Sequence, residues 1–205
     1  MKRILLVAGL LVLAAFAPAR AQTFDVPSFN TPFGEDGWGV YLIFQDFDGA
    51  GGMGTWRKSS MNLDIGIRAG LVDSGRDLGL FAGLDLKNEF YRADESFPLD
   101  MGWVTGIGVG GVPDRDSGVI RIPGGVSFGR EIEVDEGSSL LRPYVYPRLG
   151  LDIGFFPRQQ NGDNSDVSLH FDVDLGLDWR FQGNFTARIA LTLGHNEALG
   201  IGLSF

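Results

Sequence analysis

Apolar and non-apolar residues alternate with a period of two along most of the chain. The longest run is 167–180, where Val167, Leu169, Phe171, Val173, Leu175, Leu177 and Trp179 share one parity. Ser168, His170, Asp172, Asp174, Gly176, Asp178 and Arg180 share the other. A strand puts the two sets on opposite faces, whereas a helix would scatter the charges around its whole surface. The same alternation marks 61–71 (Met61, Leu63, Ile65, Ile67, Ala69, Leu71), 78–88 and 99–109. Weaker versions cover 120–130, 141–155, 185–193 and 199–205, and Trp38 to Asp46 is apolar on both faces, which leaves its register open. Nine strands are expected. Turn sequences such as Asp73-Ser74-Gly75-Arg76-Asp77 and Gln182-Gly183-Asn184 join them as antiparallel hairpins.

The non-apolar face holds charges of both signs: Asp64, Arg68, Asp85, Lys87, Asp100, Arg121, Arg148, Asp152, Asp172, Asp174, Asp178, Arg180 and Arg188. An isolated buried charge is costly, and pairing offsets the cost. With this face inside a closed sheet, the set reads as an ion-pair network filling the interior, or as a charged constriction lining a pore. Glycine is abundant, 31 residues in the chain, and is spread through the strands instead of forming linkers. That suits a narrow barrel, whose interior accommodates few side chains.

The two ends refine the picture. Lys2 and Arg3 precede a fourteen-residue apolar run, Ile4 to Ala17, and Ala19-Arg20-Ala21 is a small-x-small cleavage site. This is the pattern of an export signal, with Gln22 the expected mature N-terminus, and the run is short of the ~20 residues of a spanning helix. At the other end Leu199, Ile201, Leu203 and Phe205 alternate with Gly200, Gly202 and Ser204. This tail resembles the C-terminal strand of bacterial outer-membrane β-barrel proteins, which usually ends in Phe and guides recognition by the barrel-assembly machinery. Leu203 departs from the Tyr often found there. The chain as a whole is similar to small outer-membrane barrels of the OmpA/OmpX-like or opacity-like type.

That resemblance implies an all-β fold, a closed antiparallel up-and-down transmembrane β-barrel of 8–10 strands. The implied organisation is a signal peptide (1–21), a lead-in segment (22–36) and the barrel (37–205), lodged in the lipid of the cell outer membrane. The implied role is structural, adhesive or that of a narrow pore. Single-chain bacterial barrels use an even number of strands. Either 23–36, with Pro27 and Pro32, holds a short tenth strand, or Trp38 to Asp46 lies outside an eight-stranded wall. Aromatic residues near strand ends, among them Trp56, Phe90, Tyr91, Phe97, Phe155, Phe156, Trp179, Phe181 and Phe185, fit an interfacial belt.

Charge and motifs narrow the chemistry. The chain has 17 basic and 26 acidic residues; the leader removes three basic and no acidic ones, leaving a balance of −12. That argues against nucleic acid as a partner. Cysteine is absent. His170 shares a face with Ser168, Asp172 and Asp174, but residues two apart on one strand point in parallel and need partners from other strands to make a catalytic set. His195 falls in the last turn. Gly106 to Gly111 matches GxGxxG, yet a turn follows instead of the helix that dinucleotide binding needs. Asp114, Asp116 and Gly118, like the 161–166 loop, could cluster oxygens around Ca²⁺, but neither completes an EF-hand. No catalytic residue, cofactor or metal is expected, and the oligomeric state stays open. Two alternatives remain: a secreted soluble β-sandwich or ligand-binding barrel, with the apolar face lining a core, and an outer-membrane lipid-modifying hydrolase.

Overall fold

The computed structural model describes residues 26–45, 49–60, 63–73, 78–113, 117–134, 139–155, 165–181, 185–195 and 197–205. The expected signal peptide (1–21), Asp114, Asp116, Phe156 and the 161–164 stretch lie outside these residues. The strands are β1 (Gly37–Gln45), β2 (Gly49–Ser60), β3 (Leu63–Asp73), β4 (Leu78–Tyr91), β5 (Asp100–Val112), β6 (Ser117–Gly129), β7 (Ile132–Val134), β8 (Ser139–Phe155), β9 (Ser165–Arg180), β10 (Thr186–Leu193) and β11 (Ala198–Ser204).

Every pairing is antiparallel. The sheet runs β6-β5-β4-β3-β2-β1-β11-β10-β9-β8-β7, and β8 also pairs with β6, so the sheet closes on itself. β7 extends the stave of β6 past a break, pairing Ile132 with Leu141. The result is a closed, up-and-down, ten-stranded barrel. Its seam joins the first strand to the last, with Gly39 opposite Ser204 and Gln45 opposite Ala198. Phe205 adds a reciprocal backbone pair with Trp38, each amide donating to the other's carbonyl at 2.8 Å.

The tenth stave corrects both sequence expectations. Trp38 to Asp46 is part of the wall, as β1, with Trp38, Val40, Leu42 and Phe44 outward and Tyr41 and Ile43 inward. Residues 26–36 form no strand. The missing strand is β2, whose outward positions are Ala50, Gly52, Gly54, Trp56, Lys58 and Ser60. With one large apolar residue among six, that face gives no period-two signal. The remaining staves follow the expected parity. Leu169 is 69% exposed while His170, Asp172, Asp174 and Asp178 are buried.

The barrel is inverted relative to a water-soluble one. Among the described residues, large apolar side chains face outward from every stave, β2 contributing Trp56 alone, and the interior holds eleven fully buried charged residues together with Tyr41, Tyr144 and Tyr146. Inward glycines make room for inward rings. A Cβ at Gly176 would sit 2.0 Å from the Tyr144 ring, and one at Gly150 would sit 2.3 Å from the His170 ring. Each ring belongs to the residue directly across the β8–β9 ladder.

Candidate functional site

The interior of the barrel is the candidate site, and its register assembles it. Along the ladders Arg121 lies opposite Asp152, Arg148 opposite Asp172, Arg188 opposite Asp178 and Asp64 opposite Lys87. Charges opposite each other on one face are in contact range. Arg121 binds Asp152 with both Nε (2.7 Å) and Nη2 (2.5 Å). Arg188 does the same to Asp178, at 3.0 and 2.8 Å. Arg148 donates to Asp174 at 3.3 Å and lies 3.7 Å from Asp172. Lys87 lies 3.1 Å from Asp64, and Arg68 lies 3.5 Å from Asp85.

Two residues of the expected set stand apart. Asp100 is at the rim, where its carboxylate accepts the Ala93 amide at 2.9 Å and so fixes the β4–β5 connection. Arg180, half-buried, lines the mouth of the barrel at the end that bears Gly37 and Phe205. The tail places Ile201, Leu203 and Phe205 outward and exposed, and Leu199 half-buried on the same face.

The lumen also holds something that alternation could not reveal. Residues 26–33 are all buried inside the barrel. Ser28 donates its amide (3.2 Å) and its hydroxyl (2.6 Å) to Asp174 on β9. Arg188 on β10 donates to the Phe29 carbonyl (2.9 Å), and Arg57 on β2 to the Asn30 side-chain carbonyl (2.6 Å). Ser127 on β6 donates to the Asn30 carbonyl (2.6 Å), and Lys87 on β4 to the Phe33 carbonyl (2.6 Å). The Glu35 carboxylate then bridges Arg188 (2.7 Å), Arg57 (3.5 Å) and Lys87 (3.7 Å). Burial pushes the Glu35 carboxyl up, but Arg188, Lys87 and Arg57 outweigh it and hold the group below the usual carboxylate range. It is an anion at neutral pH.

Phe29 adopts φ +51°, in the left-handed region that a bulky side chain rarely enters. The conformation aims its carbonyl at Arg188 and its ring at Tyr41, stacked at 4.2 Å between centroids. Gly200 on β11 clears the space for that ring, since a Cβ there would lie 2.6 Å from it. Sequence reasoning missed Ser28, Asn30, Glu35 and Arg57. The first three precede the strands, and Arg57 belongs to the strand that shows no alternation.

At the far end of the lumen the fold brings together two histidines that the sequence keeps apart. His195, in the β10–β11 connection, stacks on His170 with ring centroids 5.3 Å apart. Its amide donates to Asp172 (2.9 Å), and His170 Nε2 lies 3.3 Å from Asp172. Arg148 and Arg121 already pair with the carboxylates on either side. Among the described residues no group of three or more metal-ligating side chains is arranged to hold an ion. The glycines of 106–111 lie within β5, where a phosphate-cradling loop cannot form.

At the end that bears Gly37 and Phe205, a vestibule of about 350 Å³ opens beside the segment, lined by Glu35, Arg57, Arg142, Arg180 and Arg188. No protein-family model matches the chain, and comparison with curated proteins finds no significant match.

Proposed function

We propose that this chain is a small outer-membrane β-barrel, exported through a cleaved signal and set in the lipid with its polar lumen closed. Its role is structural, adhesive or, once the lumen opens, that of a narrow pore, and it is not an enzyme. One observation carries this reading: the outer face is an apolar band and the inner face is charged. Val167 to Trp179 spans twelve residue steps of β9. At ~3.3 Å per step that is about 40 Å of strand, or about 30 Å of height at a barrel tilt of ~40°. The hydrocarbon core of a bilayer has the same ~30 Å thickness. In water the band would be an exposed apolar patch far larger than monomers tolerate.

Outward aromatics support the placement. Trp38 packs against Trp56, Trp179 against Phe181 and Phe185 against Phe205, all at the end bearing Gly37 and Phe205. Rings at that level suit a membrane–water interface. A soluble ligand-binding barrel would need the apolar face inside, where the charged ladders sit. Hydrolase chemistry finds little support in the lumen, because His170 is flanked by carboxylates that arginines already engage.

Membrane fractionation with a heat-modifiability gel tests the placement. The expected result is recovery with the outer membrane, resistance to carbonate extraction, and faster migration of the unheated protein. Recovery in the soluble periplasmic fraction would refute it.

A further inference from the structure

We propose that residues 26–36 are a displaceable plug, and that the barrel beneath it is a pore for ions and small polar solutes that stays shut while the segment is seated. The inference rests on the membrane placement argued above. Four observations support it.

The first is size. Eight strands enclose just enough room for their own side chains, and barrel diameter grows roughly in proportion to strand number. Ten strands leave space that the wall does not fill, and the segment occupies it with eight consecutive buried residues.

The second is that the wall charges do not need the segment. Each wall cation that holds it also faces a wall carboxylate. Arg188 keeps Asp178 (2.8 Å), Lys87 keeps Asp64 (3.1 Å), and Arg57 keeps Asp85 (3.4 Å). Withdrawal therefore strands no wall cation, which is the outcome that would otherwise forbid it. The segment's own polar groups would be hydrated outside.

The third is the nature of the hold. The segment is tied by side chains of β2, β3, β4, β6, β9 and β10 and by the Ser59 amide on the Asp36 carboxylate, and by no backbone ladder. Ties of this kind can be exchanged for water one at a time, whereas a paired strand must be peeled away. The fourth is strain. Phe29 is held at positive φ, and a conformation of that kind is kept only by its surroundings and tends to sit at clamps and switches.

The test uses the mature full-length chain in planar lipid bilayers bathed in KCl. The full chain is expected to sit at the baseline conductance. A variant lacking residues 22–33 should give discrete conductance steps where the full chain gives none, because an open cross-section replaces a filled one. A full chain that already conducts like the deletion shows that the segment does not seal. A deletion that inserts, by its heat-modifiable migration, yet stays silent removes the pore.

A second measurement decides the matter if the deletion does not insert. The chain has no cysteine, so Ser28→Cys in the full-length protein can be labelled with an impermeant maleimide in liposomes. Protection that is relieved by Phe29→Gly with Glu35→Gln supports displacement. Labelling at the rate of a surface cysteine, or protection unchanged by those substitutions, overturns it. Failure of the full chain itself to insert would refute the membrane placement, and the pore with it.

Discussion

At the scale of single residues, the inner wall is fitted ring to glycine and charge to charge. Tyr144 lies over Gly176 so closely that an added methyl would occupy the ring's own position, and Tyr144 is buried. A methyl added at Gly54, on the outer face, would meet no atom within 4 Å. Gly176→Ala should therefore destabilise the barrel by about 1–3 kcal/mol through overpacking. Gly54→Ala should stay within about 0.5 kcal/mol of the parent. Urea unfolding in lipid vesicles, followed by tryptophan fluorescence, compares the two. Equal effects would show that the lumen is looser than these contacts indicate. The charged residues facing inward are legible from parity alone, since Asp64, Asp85, Asp152, Asp172 and Arg188 all alternate with apolar neighbours. Their partners are not. Arg121 meets Asp152 only because β6 pairs with β8 in one particular register, the same one that β7 keeps with β8 across the break, and parity alone does not give the register between two strands.

At the scale of elements, legibility followed the outer face. β9 is readable because seven apolar residues mark it, and β2 is invisible because glycine and alanine hold the corresponding places. A different signal was present. The stretch from Phe47 to Met61 is too long for a hairpin connection, whose usual length is a few residues. Once two-sided closure demands an even count, a strand belongs there. The orientation of β9 makes the next prediction. Val173 lies halfway along the outward row, so Val173→Arg should cost about 2–4 kcal/mol if that row faces the bilayer midplane. Cysteines placed singly through 167–180 should react with a lipid-phase reagent at odd positions only, and equal reaction at both parities would contradict the assigned faces.

At the scale of the whole molecule, the seam between β1 and β11 decides whether the barrel exists. Phe205 closes it through two backbone hydrogen bonds with Trp38, while its ring rests on Phe185 in the aromatic band. A seam left open in lipid would leave unpaired backbone groups. Deleting Phe205 removes this pairing and, on the outer-membrane reading proposed above, the residue that an assembly machinery would read. The expected result is unassembled chain in the periplasm, with refolding in detergent still possible. Assembly in cells at the parental level would show that the tail is not a signal. The seam also bears on the order in which the molecule forms. Its partners are about 160 residues apart in sequence, and closing so long a loop comes late and slowly. The segment inside the lumen is joined directly to β1, and it shares an apolar cluster with that strand: Val26 and Phe29 meet Tyr41, Ile43, Met53, Val72, Phe81 and Ala190. These contacts draw on β2, β3, β4 and β10, so they can gather half the wall before the last strand zips to the first. An N-terminal segment lost before folding and one displaced afterwards are then different events: the first slows the closing of the barrel, and the second leaves a finished wall standing.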